Sequence, residues 1–149
     1  MLKAKDIMTR DVHSVTPDTS VEELARLFAE KGVNAMPVID EGGRLRGIVT
    51  ETDLVRLDQP LHLPRVVSIF DWVLYLEREK NFQEEVEKIA ARRVEEICAQ
   101  KVVTCTPETP VREIAAIMVD KGVHLLPVVD GGKVVGVVAR LDIIRSMGQ

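Results

Sequence analysis

The feature that most constrains the fold of this 149-residue chain is a sequence pattern that occurs twice. The matching segments are, in order, 16–25 with 106–115, 31–33 with 121–123, 37–40 with 127–130, 47–49 with 136–138, and 53–54 with 142–143. Roughly 18 of about 40 aligned positions are identical, which indicates an internal duplication. A copy of only ~50 residues would bury little surface alone, so we expect the two copies to pack against each other as a pseudo-two-fold pair.

The pattern of each copy predicts five elements in the order β-α-β-β-α. The predicted fold class is therefore α/β in the broad sense, an α+β arrangement of mixed helices and strands. A short extended segment ends at Thr16, and an amphipathic helix follows Ser20, which stands at capping-box spacing from Glu23. Two apolar runs separated by glycines predict a hairpin, and a last helix begins near Thr50.

The first helix of each copy carries recognisable end signals. Gly32 and Gly122 follow the last helical residues, where a left-handed cap favours glycine. In the second copy, Thr109 is predicted to cap the helix, with Pro110 at the first helical position, where a missing N–H costs nothing.

A segment without a counterpart separates the copies, so we predict repeat 1 over 1–57, a helical insert over 58–93 and repeat 2 over 94–149. The insert contains an aromatic cluster around Phe70 and Trp72, followed by an amphipathic stretch. It is expected to cover a sheet or a dimer seam, or alternatively to relay ligand binding to a partner protein.

Composition narrows the functional classes. The formal net charge of −4 does not favour a general nucleic-acid binder, although a local basic patch can oppose the net charge. Cys98 and Cys105 form no disulfide framework or zinc-like spacing and are read as small core residues. No apolar run reaches the roughly 18–20 residues that span a bilayer, and no signal core is evident, so a cytoplasmic location is expected.

The repeated residues Thr-Pro, Gly-Val-x-x-x-Pro-Val-(Ile/Val)-Asp and Gly-(Ile/Val)-Val-x-x-x-Asp-(Leu/Ile) resemble the CBS domain, named after cystathionine β-synthase. Two copies in tandem resemble a Bateman module, and the lead-in at 6–8, with 96–98 in its place before the second copy, also fits. The resemblance implies a stand-alone regulatory module that binds an adenosine derivative between the copies: AMP, ADP, ATP, S-adenosylmethionine or cyclic di-AMP. It implies no required cofactor and no metal.

The resemblance also implies which residues hold the ligand. In the family, an Asp near the start of the last helix accepts hydrogen bonds from the ribose hydroxyls, which matches Asp53 and Asp142. Phosphate is favoured at a helix N-terminus, where Thr50 and Thr52 supply hydroxyls. The stronger site is predicted to consist of Thr50, Thr52, Asp53, Thr106, Val111, Val123, His124, Leu125 and Pro127.

The second site departs from the family pattern. Ala139 and Leu141 stand where the first copy has hydroxyls, and each lost donor is worth about 0.5–1.5 kcal/mol. Arg140 can substitute as a phosphate clamp if its side chain points inward. This weaker site is predicted to consist of Thr16, Val21, Val33, Asn34, Ala35, Pro37, Ala139, Arg140 and Asp142.

Plainer interpretations stay open for these residues. An Asp at a helix start is often only a cap, His124 is otherwise a turn residue, and the Val and Pro positions are core residues. No nucleophile–base pair or phosphate-binding glycine loop is evident, so no catalysis is expected. The alternative functions are a ligand-free dimerisation or interaction module, or the binding of a metal or nucleic acid. A homodimer and an unidentified regulated protein are the expected partners.

Overall fold

The computed structural model describes residues 1–58 and 92–148. Its helices are α1 (Ala4–Ile7), α2 (Val21–Lys31), α3 (Glu51–Asp58), α4 (Val94–Ile97), α5 (Val111–Lys121) and α6 (Arg140–Met147). Its strands are β1 (Ala35–Ile39), β2 (Leu45–Thr50), β3 (Leu125–Asp130) and β4 (Lys133–Ala139). The predicted mixed fold of two repeats is therefore confirmed. The predicted insert and its aromatic cluster fall almost wholly in 59–91, outside the described residues.

Each repeat is built around an antiparallel hairpin. In the first, Met36 pairs with Val49, and in the second Leu126 pairs with Val138; all four side chains are buried. The extended segment predicted before each first helix shortens to one parallel bridge, Val15 with Val38 in the first repeat and Cys105 with Val128 in the second. Period-2 alternation places these residues on the sheet face that the amphipathic helices cover.

The helix ends follow the sequence signals in all but one case. Gly32 and Gly122 adopt φ values of 65° and 64°, the left-handed conformation that other residues avoid. The Ser20 hydroxyl accepts a hydrogen bond from the Glu23 N–H at 3.1 Å. The cap predicted at Thr109 is wrong, since Pro110 is itself the N-cap and α5 begins one residue later.

The hydroxyl of Thr109 has a different partner. Its Oγ1 accepts from the N–H of Thr106 at 3.0 Å, which closes the Thr-Pro turn rather than the helix. Thr19 makes the same bond to Thr16, also at 3.0 Å. The repeated threonine therefore encodes a turn in both copies, and its hydroxyl is not available to the helix N-terminus.

We call residues 3–9 and 93–99 the exchanged segments, because each lies at the start of one repeat and packs against the other. Ala4 is buried in the core of the second repeat, and its N–H donates to Thr109 O at 2.8 Å. Val94 is buried in the core of the first repeat, and its N–H donates to Thr19 O at 2.8 Å. Each core therefore contains a buried residue from the start of the other repeat, and this contact links the two copies.

The exchanged segments also cross the outer edge of each hairpin at a glycine. Ile48 bridges to Ala99, and Val137 bridges to Thr9. A Cβ on Gly47 would lie 2.6 Å from the carbonyl oxygen of Ala99, closer than real Cβ atoms come to other atoms. Glycine at this position lets the crossing segment lie directly on the hairpin.

Candidate functional site

A cavity of about 440 Å³ lies between the two repeats. The described residues that line it are Asn34, Ala35, Ile48, Thr50, Glu51, Thr52, Gly122, Val123, His124 and Leu125. Both repeats contribute, and the lining combines aliphatic side chains with hydroxyl, amide, imidazole and carboxylate groups. This mixture suits a small organic molecule with an apolar body and a few polar groups.

The first hairpin brings two chain segments to the same wall of the cavity. Its register pairs Ala35 with Thr50, and the N–H of Glu51 donates to Asn34 O at 3.0 Å. The start of β1 and the start of α3 therefore lie side by side. On the opposite wall, the left-handed turn at Gly122 leads directly into β3.

The carboxylate of Asp53 caps its own helix. Its Oδ2 accepts from the Thr50 N–H at 2.8 Å and from the Thr50 hydroxyl at 3.2 Å. The Thr50 Oγ1 also lies 3.3 Å from the Asp53 N–H as an acceptor. Because all three bonds join the same two residues, the end of β2 and the first turn of α3 are held as one unit.

Asp142 occupies the corresponding position in the second repeat. Its Oδ2 accepts from the Ala139 N–H at 2.8 Å, and its Oδ1 accepts from the Thr9 hydroxyl at 3.3 Å. Thr9 belongs to the exchanged segment, so this bond spans the two ends of the chain. Sequence reasoning did not find it, because nothing in the repeat pattern connects residue 9 with residue 142.

The predicted residues of the stronger site divide into two groups. Those that line the cavity are Thr50, Thr52, Val123, His124 and Leu125. Those that do not are Asp53, Thr106, Val111 and Pro127, of which Pro127 is fully buried. A ligand role for any of them stays a prediction, but the cavity contains residues of both repeats, as the stronger site requires.

The weaker site stays a prediction, and its residues lie in different surroundings in the described part of the chain. Asn34 and Ala35, which were assigned to it, line the cavity beside Thr50 because of the hairpin register. Elsewhere in that set, Val21 and Pro37 are buried core residues, and Arg140 is exposed. The remaining members, Thr16, Val33, Ala139 and Asp142, do not line the cavity either.

Three lining residues were missed by sequence reasoning: Ile48, Glu51 and Gly122. The signal for them was available. Ile48 is two residues from Thr50 on the same strand, so both side chains share one face. Glu51 lies between the two predicted threonines, and Gly122 immediately precedes the predicted Val123.

The cysteines offer no reactive thiolate. Burial raises the pKa of the Cys105 thiol to about 11, with the nearby Glu113 carboxylate adding to the effect. Burial also raises the pKa of Cys98, which is half-buried beside the first core. Both thiols are therefore protonated at neutral pH and pack as small apolar groups. No helix among the described residues is long and apolar enough to cross a bilayer.

Comparisons with known proteins agree on the architecture. The CBS domain family matches residues 4–59 and 94–149. Uncharacterized protein MJ1426 of Methanocaldococcus jannaschii is 28% identical over 151 residues, which cover 96% of this chain and 89% of the relative.

Two crystal structures of similar proteins contain adenosine compounds. CBSX2 of Arabidopsis thaliana in complex with AMP matches with a TM-score of 0.77 at 27% identity, over 100% of this chain and 98% of that one. The CBS domain pair of protein MJ0100, in complex with 5′-methylthioadenosine and S-adenosyl-L-methionine, matches with a TM-score of 0.71 at 26% identity. That match covers 99% of this chain and 100% of the other.

Proposed function

The chain belongs to the CBS domain family, and on that premise we propose that it is a regulatory module that binds an adenosine-type ligand between its two repeats. The observation that supports the proposal is the cavity of about 440 Å³, which residues of both repeats line. Similar proteins bind AMP, 5′-methylthioadenosine or S-adenosylmethionine. A ligand in this position would contact both halves at once and thereby stabilise their packing.

The lining residues suit the parts of an adenosine. Ala35, Ile48, Val123 and Leu125 offer an apolar slot for the adenine ring. Asp53 does not itself line this cavity, but it directly follows Thr52, which does. Its Oδ1 makes no hydrogen bond to any residue in 1–58 or 92–148, so this oxygen remains to accept from ribose hydroxyls.

Thermal unfolding in the presence of AMP, ATP, S-adenosylmethionine and 5′-methylthioadenosine tests the proposal. Bound ligand stabilises the native state by RT ln(1 + [L]/Kd), about 2.7 kcal/mol at a hundredfold excess over Kd. We expect Asp53→Asn to abolish most of the shift. Asp142→Asn is the matched control, because each carboxylate caps a helix through one oxygen at 2.8 Å and only Asp53 follows the cavity-lining Thr50 and Thr52.

Two results would contradict the proposal. One is an unchanged melting temperature with every compound at millimolar concentration. The other is an equal loss of the ligand shift in Asp53→Asn and Asp142→Asn. The first result would favour the alternative of a ligand-free interaction module.

We further propose that two copies associate through α6. Leu141, Ile144 and Met147 are 52%, 61% and 79% exposed, and their spacing of three residues places them along one side of the helix. Exposed apolar stripes of this kind commonly mark protein interfaces. Sedimentation velocity at tens of micromolar should show a dimer that Ile144→Glu dissociates, and a monomeric unsubstituted chain would refute this assignment. A cytoplasmic location and a regulated partner protein stay predictions.

A further inference from the structure

The cavity contains a carboxylate at the place where a phosphate chain would be expected. Glu51 is the first residue of α3, is exposed, and lies between Thr50 and Thr52 on the cavity wall. Asp53 adds a second carboxylate in the same helical turn. A helix N-terminus ordinarily attracts anions, but here two acidic side chains already occupy its field.

Several of the hydrogen-bond donors at this helix start are also engaged. The Thr50 N–H and hydroxyl both donate to Asp53 Oδ2, and the Glu51 N–H donates to Asn34 O. A phosphate group that used these donors would have to displace their bonds. Of the backbone N–H groups at this helix start, those of Thr50, Glu51 and Asp53 already donate within the protein, which leaves fewer for a phosphate.

Positive charge near the cavity is scarce. His124 is the one described lining residue that can carry a positive charge, and none of the described lining residues is Lys or Arg. Lys121 ends α5 one residue before Gly122 but does not line the cavity. A polyphosphate would therefore face Glu51 without a lysine or arginine from the described wall to balance it.

We propose that this cavity prefers an adenosine derivative that is neutral or positively charged at its 5′ position, a nucleoside thioether or sulfonium, over one with a polyphosphate chain. The proposal rests on the adenosine-binding function proposed above and adds the chemical class of the 5′ group. Glu51 sets the preference, because its charge repels phosphate and attracts a sulfonium.

Calorimetric titration of the full chain, without divalent cations, tests the charge preference. The ligands are S-adenosylmethionine, 5′-methylthioadenosine, AMP and ATP, which share adenosine and become progressively more negative. We expect Kd to increase in that order, with ATP binding about tenfold or more weakly than 5′-methylthioadenosine, since Coulomb repulsion from Glu51 acts only on the ligands that carry phosphate.

Substitution of Glu51 identifies the source of the preference. We expect Glu51→Gln to reduce the ratio of the Kd for ATP to the Kd for 5′-methylthioadenosine about three- to tenfold, mainly through tighter ATP binding. Glu41→Gln is the matched control, since it removes the same charge from an exposed hairpin turn outside the cavity lining, and it should leave the ratio unchanged.

The outcomes separate the two proposals. ATP binding as tightly as 5′-methylthioadenosine would overturn the charge preference while leaving adenosine binding intact. A ratio that does not change in Glu51→Gln would remove Glu51 as its cause. If none of the four compounds binds, the proposed adenosine function itself fails.

Discussion

The starts of α3 and α6 share a backbone geometry but differ in how their carboxylates are used. Asp53 and Asp142 each accept a hydrogen bond at 2.8 Å from the N–H three residues earlier. In α3 the supporting hydroxyl belongs to Thr50 and donates to that same oxygen. In α6 the hydroxyl belongs to Thr9 and donates to the other oxygen of Asp142.

Both repeats keep the carboxylate cap, but the hydroxyl that supports it belongs to a different residue in each. Ala139 of the second repeat occupies the position that Thr50 has in the first. Ala99 bridges to the first hairpin at the position where Thr9 bridges to the second. As a result, both oxygens of Asp142 have partners within the protein, whereas among the described residues Asp53 has partners on Oδ2 alone. The inequality of the two halves thus extends from the threonines to the carboxylates themselves.

The largest expected difference between the halves lies at the paired glycines. A Cβ on Gly47 would meet the Ala99 carbonyl oxygen at 2.6 Å, which is backbone. On Gly136 it would come closest, at 2.7 Å, to the sulfur of the flexible Met8 side chain, with the backbone oxygen of Thr9 at 3.1 Å. We expect Gly47→Ala to lower the free energy of unfolding by about 2–3 kcal/mol and Gly136→Ala by about 1 kcal/mol.

Urea unfolding measures both glycine variants, read from the midpoint at an unchanged slope. Gly148→Ala serves as control, since its Cβ would lie at an ordinary 3.6 Å from the nearest atom, the Arg145 oxygen. If the Gly136 variant loses more stability than the Gly47 variant, the Met8 side chain does not move aside for the new Cβ. The predicted ranking of the two glycines would then be wrong.

The next effect compares the two supporting hydroxyls. Thr50→Val removes two hydrogen bonds, one donated to Asp53 Oδ2 and one accepted from the Asp53 N–H. Thr9→Val removes a single bond of 3.3 Å to Asp142. At ~0.5–1 kcal/mol per bond, the losses should be about 1–2 and about 0.5–1 kcal/mol.

Double-mutant cycles measure whether the Thr9 hydroxyl acts through Asp142. The Thr9→Val and Asp142→Asn substitutions should couple, because they remove the two ends of one bond, while Thr9→Val and Asp53→Asn should be additive. Urea unfolding of the single and double variants gives both quantities. Additivity in the first pair would show that the Thr9 bond does not contribute to stability.

Sequence reasoning succeeded where the signal was local. The left-handed caps at Gly32 and Gly122 and the two hairpins follow from residue type and period, so the repeat pattern predicted them directly. The exchanged segments were not predicted, because α1 and α4 have only four residues each and show no period. Thr9 and Asp142 are 133 positions apart, and only the folded chain brings them together.

The candidate site divides in the same way. The resemblance to the CBS family pointed to Thr50, Thr52 and His124, which do line the cavity. It placed Asn34 and Ala35 with the other half, although the pairing of Ala35 with Thr50 follows from the hairpin alone. Glu51 was passed over because the family pattern specifies the hydroxyl residues on either side of it and leaves the residue between them open.

The smallest expected difference concerns the ion pairs between each exchanged segment and the repeat against which it packs. Glu108 accepts from Lys3 at 2.6 Å and from Lys5 at 2.9 Å. The counterpart in the first repeat is a single pair, Asp18 with Arg93, at 3.3 Å. The hydrogen bonds from Lys3 and then Lys5 lower the pKa of Glu108 from 4.5 to about 2.

The sign of the pH effect follows from that lowered pKa. A carboxyl that is more acidic in the folded state adds stability above its unfolded pKa of 4.5 and loses it as pH falls toward 2. The stability difference between the unsubstituted chain and Glu108→Gln should therefore shrink from about pH 5 to about pH 2. Because these groups are exposed, about 1 M NaCl should remove most of it. Asp18→Asn loses one cation contact instead of two, so it should change the urea midpoint less than Glu108→Gln does. A larger change would show that the Asp18 ion pair contributes more than those of Glu108.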